Sequence, residues 1–153
     1  MQGAFTGKFL RVHLTEGTTE VEEIPELISR MYLGGSAMAA YLLLREVKPG
    51  IDPLAPENPL LFVTGPLAGT NVSTASRLVI GAKSPVTGML NDSYAGGSFA
   101  PEMKFAGYDH IVITGRAERP SYLFINNDEV EIRDAGQLWG LDVYETQRRI
   151  KEE

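Results

Sequence analysis

The chain has 153 residues, 43% of them hydrophobic: enough apolar material for one buried core, too little length for two comfortable domains. Its 20 acidic against 14 basic residues leave a formal charge of −6, which argues against a generic nucleic-acid backbone binder, because that work needs clustered Lys and Arg. Cysteine is absent, so the chain forms no disulfide and supplies no thiolate to zinc or to an iron–sulfur cluster.

The N-terminal "MQGAFTGKFLRVHLTEG" lacks the apolar core of a signal peptide, and no window approaches the ~18 consecutive apolar residues of a membrane span. The expectation is a cytoplasmic protein with neither a membrane nor a nucleic acid as partner. Asn71-Val72-Ser73 is a glycosylation sequon, read as chance without a secretory signal.

Leu10, Val12 and Leu14 alternate with Arg11 and His13, the period-two pattern of a half-buried strand. Glu16-Gly17 turns it back towards "TTEVEEI", so the chain should open with a hairpin. Pro25 stands where a helix can begin, and "PELISRMY" is a short helical segment. After "LGG" comes "SAMAAYLLLREV", where Ser36 is placed to cap a helix with Met38, Tyr41, Leu42 and Arg45 at helical spacing. The proline-rich "KPGIDPLAPENP" ends it, and its interleaved Ile51 and Leu54 mark an ordered loop within one fold, not a domain linker.

"LLFVTG" is a short apolar run and reads as a central strand, delivering the chain into the small and hydroxyl residues of "GPLAGTNVSTASR". "RLVIGA" is the next strand, closed by the turn "KSPVTG". "YAGG" then reads as a small-residue loop before the helix "FAPEMKFA", with Ser98 as its cap, Pro101 in its first turn and Gly107 beyond its end. "HIVITG", "SYLFIN" and "VEIRDA" predict a three-strand meander, joined by "RAERP" and the turn Asn126-Asn127-Asp128. Strand runs with helices between other runs favour an α+β fold over a regular βαβ array. "LDVYETQRRIKEE" is helical from Asp142, and the pattern is cut at Glu153, so we expect a single domain over 1–153 that is incomplete at its C-terminus.

Consecutive backbone N–H groups in a glycine-permitted loop can converge on an anion, and a helix start adds unpaired donors. Gly96-Gly97 before Ser98 therefore admits a phosphate cradle, but the glycines alone favour a tight, closely packed turn, since neither GxGxxG nor a P-loop is present. Arg77, at the mouth of a strand, offers a planar fork of donors suited to phosphate, though a lone Arg is more often in a surface ion pair. Lys83 has a weaker case and reads as solvated. His13 and His110 sit at strand edges without metal-ligand companions and read as structural; Glu102 and Asp109 read as helix-surface or capping groups. No catalytic constellation emerges.

In their order, "GKFLRVHLTEG", "LGGSAMAAYLLLREVKPGIDPLAPEN", "GPLAGT", "SRLVIGAKSPVTG", "AGGSFAPEMKFAGYDHIVITGRAERPSYLFI" and "EIRDAGQLWGLDVYET" cover essentially the whole chain. Together they resemble the N-terminal domain of the aldehyde:ferredoxin oxidoreductase family, the tungsten-pterin enzymes. The resemblance implies two mainly antiparallel β-sheets with flanking helices, a base on which a bis-pterin cofactor, tungstopterin or molybdopterin, lies. It implies that Arg77 binds the pterin, that Tyr94, Ala95 and Gly96 form the loop meeting it, and that the Tyr94 main-chain carbonyl contacts a phosphate-bridging magnesium. It further implies C-terminal domains that hold a [4Fe–4S] cluster and the proton-transfer residues, an aldehyde substrate, ferredoxin as electron acceptor, and admits a homodimer. Two positions depart from the family's pattern: Tyr94, where Asn is common, and Ser36, where Arg is common. A stand-alone pterin-binding or assembly module and a domain of a related acyl-CoA ring reductase remain alternatives.

Overall fold

The computed structural model describes residues 4–152; Met1 to Gly3 and Glu153, which the sequence reading includes in the domain, lie outside the described residues. The hairpin expected at the start is present as β1 (Lys8–His13) and β2 (Thr18–Glu23), paired antiparallel. However, β1 is not half-buried: Phe9, Leu10, Arg11 and Val12 are all buried, because helices cover one side of the strand and further elements cover the other. A charge on an inward face needs partners, and Arg11 has them: Glu22 contacts its Nε, and Glu46 accepts two bonds at 2.9 and 3.0 Å. Burial opposes the guanidinium's charge, yet the hydrogen bonds and charges of Glu46 and Glu22 outweigh it and hold the group firmly protonated.

Pro25 immediately precedes α1 (Glu26–Tyr32), and the chain then bends sharply through Leu33 and Gly34 into α2 (Gly35–Glu46). Gly34 has φ 129°, and a Cβ there would lie 2.2 Å from the Thr64 carbonyl oxygen, so no other residue fits this bend. Ser36 is not the cap of α2; it lies inside the first turn, behind Gly34 at the N-cap. The buried face is Met38, Ala39, Leu42 and Leu43, rotated from the expected one: Tyr41 instead stacks on Tyr32 at 4.6 Å, and Arg45 reaches Glu22 at 3.4 Å. The proline-rich connection is ordered, as expected, since Asn58 donates to the Pro53 and Lys83 carbonyls and the Lys83 ammonium donates to the Ile51 carbonyl.

Strand β3 (Leu60–Thr64) is central, and β4 (Leu78–Lys83) pairs with it antiparallel. The next strand, β5 (Leu90–Ala95), is not predicted by its pattern, and its last residues read as loop; it is polar on both faces and forms the edge of the sheet. After α3 (Phe99–Phe105), β6 (His110–Thr114) does not join a meander but inserts between β1 and β3, parallel to the former and antiparallel to the latter. The resulting six-stranded order is β2-β1-β6-β3-β4-β5. Strands β7 (Ser121–Asn126) and β8 (Glu129–Asp134) form a separate two-stranded sheet, and α4 (Val143–Glu152) follows.

The large sheet carries a core on each face. Under α2 lie Phe9, Leu61, Val63, Val79 and Val112; the opposite face packs Leu10, Val12, Leu78 and Ile111 against α3, with β7 and β8 completing that layer. Among the described residues, two sheets and four helices make the α+β architecture expected. No described helix is long and apolar enough to cross a membrane.

Candidate functional site

One end of the large sheet gathers the residues of interest. Thr64 pairs with Leu78, and Leu78 with Ala95, so Gly65, Arg77 and Gly96 all extend from the same end of three adjacent strands. The first turn of α2 closes on that end, with Gly34 against the Thr64 carbonyl and Gly35 facing Val79. Arg77 and Tyr94–Gly96, separate in sequence, are therefore neighbours in register. Arg77 is exposed, and its guanidinium makes no hydrogen bond or ion pair with a described residue.

A glycine in a fold is ordinarily accounted for by a positive φ or by a neighbour that a Cβ would strike. Gly97, at φ 102°, has the first. Gly96 and Gly65 have neither: their φ values are ordinary and a Cβ at each meets nothing within 4 Å. Among the described glycines these two are alone in that respect, and both lie on the Arg77 end of the sheet. The close-packed turn that the sequence allowed for Gly96-Gly97 is thus not what occurs. Ser98 precedes α3 but makes no capping bond through its side chain.

Tyr94 is half exposed at 55% and projects towards α2, since it pairs with Val79 of the core beneath that helix. Its hydroxyl donates to Asp92 Oδ2 at 2.8 Å, and Ser36 Oγ lies 2.5 Å from both the same carboxylate oxygen and the Tyr94 hydroxyl. Hydrogen bonds from Ser36 and then Tyr94 hold the Asp92 carboxyl below its ordinary range. Sequence reasoning did not single out Asp92. The available signal was Leu90-Asn91-Asp92-Ser93-Tyr94, too polar to announce a strand without knowing that it lay at an edge.

Of the remaining candidates, Asp109 and His110 lie at the same end of the sheet, where Thr64 donates through its N–H and its hydroxyl to the Asp109 carbonyl at 3.2 and 2.8 Å, but both are buried. Asp109 is no surface cap: it is 1% exposed, accepts from the Thr6 and Gly7 main-chain N–H groups, and is paired with Lys104. His110 is buried beside it, and His13 lies 3.1 Å from Thr114 Oγ1 at the far end of β1. Glu102 borders an apolar cleft of about 360 Å³ between α3 and the β7–β8 sheet, lined by Phe62, Phe99, Met103, Leu123 and Ile125. That cleft offers no donor set for an anion. No three His, Cys, Asp or Glu side chains lie together among the described residues, so a cation held here would rely on main-chain and ligand oxygens. The Arg77 end has what a phosphate-bearing group such as a pterin cofactor requires: a guanidinium with no partner among the described residues, and glycine backbone open to close approach.

The fold defines an α+β scaffold domain that presents loops from one end of a mixed sheet. Residues 9–153 match the family described as "Aldehyde ferredoxin oxidoreductase, N-terminal domain", and the chain belongs to that family. It is 46% identical over 147 residues to the tungsten-containing aldehyde ferredoxin oxidoreductase of Pyrococcus furiosus, an alignment covering 96% of this chain and 24% of the relative. An aliphatic sulfonate oxidoreductase, WOR-like subunit, from the same organism is 38% identical over 153 residues, covering 98% of this chain and 24% of the relative. Among solved structures, the active-site complex BamBC of benzoyl coenzyme A reductase, in complex with 1,5-dienoyl-CoA, superposes with a TM-score of 0.96 at 41% identity. That superposition covers 99% of this chain and 23% of the other. The chain spans about a quarter of the length of the curated relatives it matches.

Proposed function

We propose that this chain is the cofactor-binding N-terminal domain of a tungsten bis-pterin oxidoreductase, the whole of which oxidises an aldehyde to its carboxylate and passes electrons to ferredoxin. The observation that carries the reading is Gly96: a glycine required by neither its φ nor a neighbour, one strand from a guanidinium without a partner among the described residues. Backbone at such a position is free for close approach by something outside the domain.

In this reading Arg77 binds and orients the pterin through its fork of N–H donors, and the main chain of Tyr94, Ala95 and Gly96 lies against the cofactor. The Tyr94 main-chain carbonyl would be this chain's oxygen ligand to a magnesium ion held with the cofactor's phosphates. The metal–pterin group supplies the redox chemistry when bound, while this domain supplies position and electrostatics. The [4Fe–4S] ligands and the acid–base groups belong to further domains in this reading, since this chain has no cysteine and the Lys104, Asp109 and His110 side chains near the sheet end are buried. A second reading, a domain of an acyl-CoA reductase, is favoured by the close superposition on the benzoyl coenzyme A reductase complex. Both share the Arg77 and Tyr94–Gly96 assignment and differ in the catalytic parts outside this chain.

The test is Arg77→Ala in the full-length enzyme, with tungsten and pterin quantified per polypeptide. A several-fold fall in both, with the far-UV spectrum unchanged, is the expected result. Full tungsten and pterin occupancy in the variant removes the assignment.

A further inference from the structure

Strand β5 is the last of its sheet and is paired on one side only, with β4. An edge strand held by half a ladder opens more readily than an internal one. Yet this strand ends in Tyr94, Ala95 and Gly96, whose main chain must be placed accurately if it is to meet a ligand. We propose that Asp92 is a positioning residue, which fixes the Tyr94–Gly96 backbone by gathering the Ser36 and Tyr94 hydroxyls onto one carboxylate oxygen. This inference rests on the pterin reading of the site.

Asp92 and Tyr94 are two residues apart in a strand and so share a face, here the one towards α2. Ser36 reaches them from the first turn of that helix, 56 and 58 residues away in sequence. The helix is itself fixed, by Gly34 against the Thr64 carbonyl and by Met38, Ala39, Leu42 and Leu43 in the core. The trio therefore joins a weakly held strand end to a rigid element.

Proton inventory assigns the central role to the carboxylate. Each hydroxyl has one hydrogen to give, and an ionised carboxylate is an acceptor only, able to take both. Without it, Ser36 and Tyr94 retain only each other. The lock also engages the Tyr94 phenol, which leaves the main chain of 94–96 as the part presented to a ligand. Groups that orient a ligand-binding element without touching the ligand matter at roughly tenfold or more in affinity at metal sites.

The experiment uses the full-length enzyme carrying Asp92→Ala, which removes the shared acceptor, with Ser36→Ala as a second variant, Ser36→Thr as the conservative one, and Arg77→Ala as the comparison. Tungsten and pterin are measured per polypeptide after extended dialysis, and hydrogen exchange is followed in the peptide spanning 88–98. Asp92→Ala and Ser36→Ala should retain roughly tenfold less cofactor and exchange faster in that peptide, and Ser36→Thr should restore both. Retention in Asp92→Ala with loss in Arg77→Ala overturns the positioning role and leaves the pterin reading intact. Retention in both removes the pterin reading and this inference with it. Cofactor loss in Asp92→Ala without faster exchange also overturns it, because the residue would then act by something other than holding the strand. Loss in Asp92→Ala with faster exchange but retention in Arg77→Ala upholds the lock and removes only the arginine contact.

Discussion

Ser36 Oγ lies 2.5 Å from Tyr94 Oη, across 58 residues of sequence, and ties the first turn of α2 to the edge strand β5. Both hydroxyls close on the same Asp92 carboxylate oxygen, so the two positions are coupled through it. Ser36→Ala and Tyr94→Phe should each lower the urea midpoint of the chain. The double variant should lose less than the sum, because either single change already loosens the carboxylate that the other hydroxyl uses. Strict additivity of the two losses would show that the residues do not interact.

Gly96→Val separates ligand approach from folding. A Cβ at Gly96 meets nothing within 4 Å and the residue does not sit at positive φ, so the fold should tolerate the side chain, with stability within about 0.5 kcal/mol of the parent. Cofactor content of the full-length enzyme should nevertheless fall several-fold. The companion change Gly34→Val behaves oppositely, since its Cβ would meet the Thr64 carbonyl oxygen at 2.2 Å and the chain should fail to fold. A cofactor content unaffected by Gly96→Val would show that the backbone there is not the contact.

The contrast between these glycines shows what was legible in the sequence. The opening hairpin, the central strand, the ordered proline-rich loop and the short helix after Gly97 followed from local pattern, because each is specified by neighbours within a few residues. Arg77 and Gly96 are candidates from residue chemistry alone, and the resemblance adds Tyr94 and Ala95 and the pterin; the sequence places them on separate loops, and only the β4–β5 register sets them side by side. What local pattern missed depends on tertiary neighbours. Ser36 looks like a cap but bonds across to β5; β6 looks like part of a meander but inserts between β1 and β3; Asp109 looks like a surface group but is enclosed. Period-two alternation in β1 was misleading for the same reason, because Arg11 is buried among carboxylates contributed by β2 and α2.

Lys104 and Asp109 form a buried ion pair whose side chains are 6% and 1% exposed. Lys104 also donates to the Ala4 carbonyl at 2.7 Å, and Asp109 accepts from the Thr6 and Gly7 N–H groups at 3.1 and 2.8 Å. The pair thus fastens the segment leading into β1 to the turn between α3 and β6. Lys104→Met leaves the carboxylate enclosed without its cation, and removal of one member of a buried pair typically costs about 3 kcal/mol. Adding Asp109→Asn removes the orphaned charge and should recover part of the loss. Urea denaturation of the single and double variants checks both statements; a double variant less stable than Lys104→Met would show that the carboxylate serves mainly its backbone donors.

His110, next in sequence, gives the chain a specific acid sensitivity. The ring is 1% exposed beneath α1 and α2, and neither nitrogen reaches a hydrogen-bond partner among the described residues. Burial pushes the imidazole down to about 4; the neighbouring Asp109 charge opposes the shift and Lys104 adds to it. The unfolded chain protonates His110 near 6.5, so above that pH the group is neutral in both states and stability is complete. As pH falls from about 6.5 towards 4, only the unfolded chain takes up the proton, and stability declines across that window. His110→Leu forfeits no hydrogen bond and should leave the urea midpoint at pH 7 nearly unchanged. At pH 4.5 it should exceed the parent, because its share of the acid loss is gone. Parallel declines in parent and variant between these pH values would place the acid sensitivity in other groups.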